Sequence, residues 1–396
     1  MTALDFHKGK DLLRSATVRP RRISFLINSM EGGGAERAMA NLLEHLLPRL
    51  HGHAVELILL DDLPTVQTLP KDLTIRTLDG RGKLGRSLIE LARHWRITAN
   101  RPDVCISYLA RANVLNAWLA RWFGHRALIS ERVNTSSHIA GSRAAPILRW
   151  ITRLSYPRAA GVIAVSEGVA TDLSRNFGVA RDRVTVIGNA IDAARLRTLA
   201  AQPAPFDLPE DFILGMGRLV PNKNFALLLD AYADVPGAPP LVLLGEGAEE
   251  TNLRAQADRL GISDRVVFAG FVANPYPVVA KARALVSASR AEGFPNTLVE
   301  ALALSCPVIA TDCPSGPAEI LDATAQTSPP WSAHAHGLLV PMENRAAMAA
   351  AMSTLCNDAA RHDYAARAAK RALIYGHDAV VGAYMDIVFD DETNSS

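Results

Sequence analysis

The sequence predicts an α/β protein made of two doubly wound, Rossmann-like domains. Three observations carry that expectation. Short apolar, partly β-branched runs alternate with helical patterns from residue 22 to residue 190, the rhythm of a mostly parallel sheet covered on both faces. An Ala- and Pro-rich stretch at 193–211, including AAQPAPFDLPED, then breaks the rhythm and reads as a linker. Beyond it the same alternation starts again. A chain of 396 residues also exceeds one ordinary hydrophobic core. The domains are therefore expected at 1–192 and 212–376, with a C-terminal segment at 377–396.

The elements follow from the pattern in order. Residues 22–28 (RISFLIN) form an apolar strand that runs into a glycine cluster. The helix after it, 35–50, places Ala38, Leu42, Leu43, Leu46 and Leu47 on one stripe. Strands are expected at 54–60, 104–107, 127–130 and 161–166. In the second series, strands are expected at 212–217, 241–244, 266–268, 284–287 and 308–310. Helices intervene at 225–233, 249–260 and 297–304. Ligands of such sheets bind beyond the carboxyl ends of the strands, so the strand-to-helix turns are where function is sought.

Composition narrows the classes. A hydrophobic fraction of 49% excludes a disordered chain, and 26 Gly and 23 Pro exclude a collagen-like one. Cys105, Cys306, Cys313 and Cys356 show no metal-ligand spacing and read as buried thiols in a reducing compartment. Neither a signal-peptide core nor a membrane-spanning apolar run is present in the sequence, which points to the cytoplasm. The net charge of +2 conceals an asymmetry. Residues 1–190 hold 27 basic and 16 acidic side chains, a balance of +11, whereas residues 191–396 balance at −9. One reading is an anionic partner for the first half; the other is two domains with opposite fields. Zinc, RNP and basic-zipper patterns are absent from the sequence, so nucleic acid is not expected. A membrane surface fits better. Leu84, Leu88, Leu91, Ala92 and Trp95 recur at helical spacing among basic residues, as do Ile147, Leu148, Ile151 and Leu154. Each stretch also fits an ordinary helix packed on a sheet.

Three turns carry chemistry. Glu31-Gly32-Gly33-Gly34-Ala35-Glu36-Arg37 lets the backbone approach a ligand and opens a helix whose amides suit an anion. It matches neither the dinucleotide nor the P-loop fingerprint. Gly217-Arg218-Leu219-Val220-Pro221-Asn222-Lys223 follows a strand; Arg218 suits bidentate phosphate binding and Lys223 reaches as a point charge. In Arg290-Ala291-Glu292-Gly293-Phe294-Pro295-Asn296-Thr297-Leu298-Val299-Glu300, two carboxylates flank a loop and a helix start. Thr297 and Glu300 also have the spacing of a capping box, which gives Glu300 a purely structural alternative.

Taken together with LLGEG (243–247) and FAGF (268–271), these motifs resemble, in order, those of a GT-B glycosyltransferase. More narrowly, the sequence is similar to the retaining family-4 type that uses nucleotide-diphosphate sugars. The resemblance runs from about residue 23 to about residue 319. It implies that Arg218 and Lys223 hold the donor diphosphate, with Gly33 and Gly34 in a loop facing it. It implies that Glu292 lies near the donor sugar and that Gly293, Phe294, Pro295, Asn296 and Thr297 line it. Glu300 would bind the ribose hydroxyls and Phe271 would lie near the base. His138 is the candidate for the catalytic histidine of the first domain, although its position alone fits a loop histidine. A last helix at 377–388 would return to the first domain.

The implied reaction transfers a hexosyl or N-acetylhexosaminyl group from a UDP- or GDP-sugar to a hydroxyl of a lipid-linked or polysaccharide acceptor, as in cell-envelope polysaccharide biosynthesis. No cofactor and no metal are expected, since Asp-x-Asp does not occur in the chain. Charge on the leaving diphosphate would be met by cations and helix starts. The basic first half favours a peripheral position on an anionic membrane. The rival readings are a sugar-nucleotide epimerase of the same two-domain plan and an inactive scaffold of that fold.

Overall fold

The expected strands form two parallel-dominated sheets in the computed structural model, which describes residues 19–323 and 332–390. The first sheet comprises β1 (Arg22–Ile27), β2 (Ala54–Leu59), β3 (Thr74–Thr77), β4 (Val104–Tyr108), β5 (Arg126–Glu131), β6 (Gly161–Ala164) and β7 (Val184–Val186). Its spatial order is β3-β2-β1-β4-β5-β6-β7. The second comprises β8 (Ile213–Met216), β9 (Leu241–Leu244), β10 (Val266–Gly270), β11 (Ala284–Ser287), β12 (Val308–Thr311), β13 (Ser332–His334) and β14 (Gly337–Val340). Its order is β10-β9-β8-β11-β12-β14-β13, with only β13 antiparallel. Both sheets thus start in the middle, run outward to one edge and return across the first strand. That reversal creates a switch point in each sheet, at β1/β4 and at β8/β11.

The helices in chain order are α1 (Gly34–Leu46), α2 (Leu84–Arg96), α3 (Ala110–Phe123), α4 (Thr135–Ala140), α5 (Ala145–Ser155), α6 (Glu167–Phe177) and α7 (Ala193–Ala200). They continue with α8 (Phe225–Ala233), α9 (Glu250–Arg259), α10 (Tyr276–Lys281), α11 (Asn296–Ala303) and α12 (Pro317–Ile320). The last three are α13 (Arg345–Cys356), α14 (Asp358–Ala372) and α15 (His377–Phe389). The stripe on α2 is core. Leu91 and Trp95 are buried with Leu26, Ile58, Cys105 and Leu115, and Leu84, Leu88 and Ala92 pack against them. Among the described residues, no helix is long and apolar enough to cross a membrane. Cys105, Cys306 and Cys313 are buried free thiols, and Cys356 is partly buried.

One expectation changes. The 193–211 stretch is not irregular throughout, because α7 occupies its first part. The Asp192 carboxylate accepts from the Arg195 amide as the helix cap, and Leu196 is buried. The chain also divides into two compact units. One unit holds residues up to Ile129 with Arg158–Ala160; the other holds Ser130–Pro157 and the chain from Gly161 onward. The second unit is tied together by close backbone contact and by a half-buried carboxylate. Glu319 accepts hydrogen bonds of 2.7 Å from the amides of both Glu167 and Gly168, at the start of α6. A Cβ on Gly293 would lie 2.1 Å from the Arg132 carbonyl oxygen, so only glycine allows that approach.

In the first unit, a buried histidine shows how the core fixes a proton. The Asn116 amide nitrogen donates to the Cys105 and Leu128 carbonyls at 2.9 and 3.1 Å, leaving its oxygen 2.9 Å from His125 Nε2. An amide oxygen only accepts, so Nε2 carries the proton. Burial beside Trp95 lowers the His125 pKa to about 4. Above the ordinary value near 6.5 both folded and unfolded imidazoles are neutral. As pH falls through the window toward about 4, the unfolded chain gains a proton that the folded one refuses, and stability is lost. Wild type should lose up to about 3 kcal/mol on this account across that window. His125→Gln should flatten this part of a pH series of thermal melts; an unchanged slope would contradict the assignment.

Candidate active site at the carboxyl end of the second sheet

Strands β8 and β11 are hydrogen-bonded neighbours at the switch point, so the loops that leave their carboxyl ends lie side by side. The loop after β8 is held in shape by the loop after β9. The Leu219 amide donates to the Glu246 carbonyl at 2.9 Å, and the Glu249 amide donates to the Leu219 carbonyl at 3.0 Å. Glycine is obligatory at both contacts. A Cβ on Gly245 would fall 1.9 Å from the Gly217 carbonyl oxygen, and one on Gly247 would fall 2.2 Å from that of Leu219. This accounts for LLGEG, a motif that the resemblance named without a reason. Leu219 is buried while Arg218 is exposed, and Arg218 makes no side-chain hydrogen bond or ion pair among the described residues.

Lys223 ends a single 3-10 turn, Pro221–Lys223. Its ammonium lies 2.5 Å from Glu292 Oε1, and the Ser289 hydroxyl donates to the same oxygen at 2.7 Å. The pair is largely buried, with 25% of the Lys223 side chain and 12% of the Glu292 side chain exposed. The two loops are also bound through their backbones. The Arg290 amide donates to the Asn222 carbonyl at 2.8 Å, and the Asn222 amide side chain donates to the Ala291 carbonyl at 2.8 Å. Cys313 sits in the same environment, but burial and the Glu292 charge push its thiol up to about 12. It is not a thiolate nucleophile at neutral pH.

After Glu292 the chain turns into α11. Gly293 abuts the Arg132–Val133 backbone, Phe294 meets Tyr375 edge to face with ring centroids 5.0 Å apart, and Pro295 is the N-cap. The Asn189 amide nitrogen donates to Asn296 Oδ1 at 2.5 Å, and Thr297 is partly buried. The capping-box alternative for Glu300 fails. The cap is Pro295, which offers no side-chain acceptor; Thr297 is already inside the helix, and Glu300 lies beyond the first turn, buried. Phe271 is 73% exposed, and its amide donates to Glu246 Oε1 at 3.3 Å.

His138 is exposed on α4, a helix of one and a half turns capped by Asn134, whose oxygen accepts from the Ser137 amide at 2.9 Å. Asn134 also donates to the Ser315 hydroxyl at 3.1 Å, which fixes α4 relative to the loop after β12. Gly33 and Gly34 belong to the other compact unit. Gly33 is the N-cap of α1 and Gly34 its first residue. A Cβ on Gly33 would lie 2.2 Å from Glu36 Oε2, so in this conformation a carboxylate of the chain itself attends that helix start.

Sequence reasoning missed Ser289, Asn222, Asn189, Ser315 and Glu319. Ser289 bonds to Glu292 three positions on, whereas the others take their roles from partners far away in the chain. Only the position of Ser289 just past a strand end gave a signal.

Chemically, the arrangement offers one unpartnered guanidinium, one ammonium already shared with a carboxylate, and a helix start. That is equipment suited to holding an oxyanion.

Comparison with known proteins gives the family of the chain. Residues 32–195 match the family described as Glycosyltransferase Family 4, and residues 197–372 match that described as Glycosyl transferases group 1. The chain is 31% identical over 352 residues to the N-acetylgalactosamine-N,N'-diacetylbacillosaminyl-diphospho-undecaprenol 4-alpha-N-acetylgalactosaminyltransferase of Campylobacter jejuni, covering 85% of this chain and 91% of that one. It is 30% identical over 244 residues to the lipopolysaccharide core biosynthesis glycosyltransferase LpsE of Rhizobium meliloti, covering 60% and 66%. Among solved structures it resembles HepE of Anabaena in complex with UDP, with a TM-score of 0.74 at 20% identity, covering 93% of this chain and 100% of that one.

The Lys223–Glu292 contact predicts a sign. The carboxylate competes with any phosphate for the ammonium, so Glu292→Gln should leave UDP affinity unchanged or raise it a few-fold while sugar transfer falls. Calorimetric titration of UDP checks this; a large loss of UDP affinity would contradict it.

Proposed function

The chain belongs to the group 1, family 4 glycosyltransferases, and from that premise we propose that it transfers a sugar, with retention, from a nucleotide-diphosphate donor to a hydroxyl of a lipid-linked glycan. The observation that carries the reading is the pairing of Lys223 with Glu292 at the β8/β11 switch point, beside the exposed Arg218. One cation there is free and the other is aligned by a carboxylate.

In this reading Arg218 and Lys223 take the diphosphate, and the negative charge that grows on it as the anomeric C–O bond breaks is met in place. The first amides of α11, at Asn296 and Thr297, add the positive end of a helix. Glu292, with Oε1 held by Lys223 and Ser289, presents its other oxygen to a sugar hydroxyl. Gly293, Phe294 and Pro295 wall that sugar, Glu300 takes the ribose hydroxyls and Phe271 borders the base. The departing phosphate assists deprotonation of the acceptor hydroxyl, with front-face attack, and His138 serves as the nearby polar group on the acceptor side. Side chains and backbone amides supply the electrophilic assistance, in keeping with the lack of Asp-x-Asp in the sequence.

Donor and acceptor classes draw support from the relatives. The Campylobacter enzyme is named for transfer of N-acetylgalactosamine to a diphospho-undecaprenol-linked sugar, and the Anabaena structure holds UDP. For this chain we extend that to a hexosyl or N-acetylhexosaminyl group on a UDP or GDP carrier. The acceptor would be presented at the inner face of an anionic membrane, in cell-envelope glycan assembly. An epimerase reading lacks an acid/base set around a sugar ring at this site, and an inactive scaffold would have no use for the Lys223–Glu292–Ser289 arrangement.

Incubation with radiolabelled UDP- and GDP-sugars and a bacterial lipid extract should move label into the organic phase with stoichiometric release of nucleoside diphosphate. NMR of the product should show the donor's anomeric configuration; inversion would overturn retention. Arg218→Ala should lower kcat/KM by about 10²–10³. Because Arg218 is exposed and unpartnered, its removal should alter folding stability by less than about 0.5 kcal/mol. A matching loss of thermal stability would assign Arg218 to the fold instead.

A further inference from the structure

The two amphipathic stretches singled out from sequence turn opposite faces to the protein. On α2 the apolar stripe is buried, as Leu91 and Trp95 show. On α5 the buried residues are Thr152 and Ser155, while Ile147 and Trp150 are 62% and 63% exposed and Leu148 is 40% exposed. The Thr152 and Ser155 hydroxyls face the protein, Ile147 and Trp150 face away, and Ile151 and Leu154 are half-buried. The hydroxyls are satisfied locally: Thr152 Oγ1 donates to the Leu148 carbonyl at 2.9 Å and Ser155 Oγ to the Ile151 carbonyl at 2.6 Å. Nothing polar is left that would require the opposite orientation.

The charges sort in the same way. At 100° per residue, Ile147, Trp150 and Leu154 share one stripe, and Arg149 and Arg153 form the adjoining one. Both arginines are exposed, and each guanidinium makes one contact with α6. Arg149 lies 5.8 Å from the Phe177 ring centroid, and Arg153 Nε donates to the Asn176 carbonyl at 2.7 Å. Arg143 precedes the helix and Arg175 is exposed on α6, which packs against α5. From residue 132 to residue 166 the sequence contains Arg132, Arg143, Arg149, Arg153, Arg158 and His138 and no Asp or Glu.

From this we infer that α5 is an interfacial anchor. Its exposed Ile147 and Trp150, at the open end of the stripe that the half-buried Leu154 continues, enter the headgroup and acyl boundary of an anionic bilayer, while Arg143, Arg149 and Arg153 contact lipid phosphates. An aromatic side chain at the rim of an apolar stripe, flanked by cations and without a single carboxylate, is the chemistry of a helix lying in that plane. A protein partner of comparable size would be expected to answer some of this charge with hydrogen-bonded carboxylates, but it would have no need of an all-basic segment. The inference adds a docking element to the lipid-linked reading above and rests on that reading only for its biological use.

Vesicle binding tests it without any sugar substrate, so it stands or falls separately from the glycosyltransfer reading. Full-length protein should co-sediment with phosphatidylglycerol-containing vesicles and much less with pure phosphatidylcholine. Binding should weaken between 50 and 500 mM salt, about, as headgroup attraction is screened. Brominated lipids should quench tryptophan emission, and Trp150→Phe should remove most of the quenching. The Ile147→Ser/Trp150→Ser double variant should lower the partition coefficient at least about tenfold with an unchanged thermal melt. The proposal is overturned if the double variant binds as wild type does, or if wild type ignores anionic vesicles. It is equally overturned if light scattering shows a dimer that the double variant dissociates, since the stripe would then be a contact between copies of the chain.

Discussion

The architecture of the site depends on one contact, the ion pair between Lys223 and Glu292. The two residues lie 69 positions apart and meet only because β8 and β11 are neighbours where the strand order of the second sheet reverses. An isolated ion pair in this largely buried position would cost desolvation on both partners. Ser289 offsets part of that cost by donating to the same carboxylate oxygen, and the Arg290–Asn222 and Asn222–Ala291 bonds fix the loops that bear the charges. A charge-assisted contact held this way serves as preorganisation. The carboxylate fixes where the ammonium sits, and an arriving anion shares or displaces that contact.

Glycines around the contact have the same logic at the level of the backbone. Gly245 and Gly247 press the loop after β9 onto the loop after β8, and Gly293 presses the loop after β11 onto the Arg132–Val133 backbone. Each approach is too short for any Cβ. The half-buried Glu319 carboxylate adds a further tie by capping α6 with two hydrogen bonds of 2.7 Å. Its burial raises its pKa, while the amides it accepts from pull the other way. Rigid loops and an exposed, unpartnered Arg218 therefore coexist within a few residues, which suits a position that gains its partner only from a ligand.

Much of this was legible in sequence where burial writes a simple pattern. Strands β9 and β11 and helix α8 fall where apolar runs predict them, because central parallel strands are covered on both faces. Of the edge strands, β10 was legible at 266–268, but the others were not. β3 (TIRT) is exposed along its length, β7 is three residues long, and the β13/β14 hairpin closes the far edge of its sheet. Helix α7 hid inside a stretch read as a linker because its Ala-rich sequence buries only Leu196. The site divided in the same manner. Arg218, Lys223 and Glu292 stood out as charges at strand ends, but Asn189, Ser315 and Glu319 are placed by tertiary contacts that spacing does not encode. Thr297 and Glu300 had the right spacing for a cap and the wrong start, since Pro295 occupies the cap position. On α5, periodicity located the apolar stripe but not the side it faces. Thr152 and Ser155 pack inward because their hydroxyls bond to carbonyls one turn back, which makes them behave as small apolar residues.

The central claim is that Arg218 and Lys223 recognise the second phosphate of a nucleotide carrier. It is tested most directly by comparing UDP with UMP binding to wild type and to the Arg218→Ala/Lys223→Ala double variant by calorimetry. Wild type should prefer UDP by at least about tenfold, as expected for charge-assisted hydrogen bonds of about 1.5–3 kcal/mol each. In the double variant that preference should vanish while UMP affinity is kept. A preference for UDP that survives loss of both cations would contradict the account.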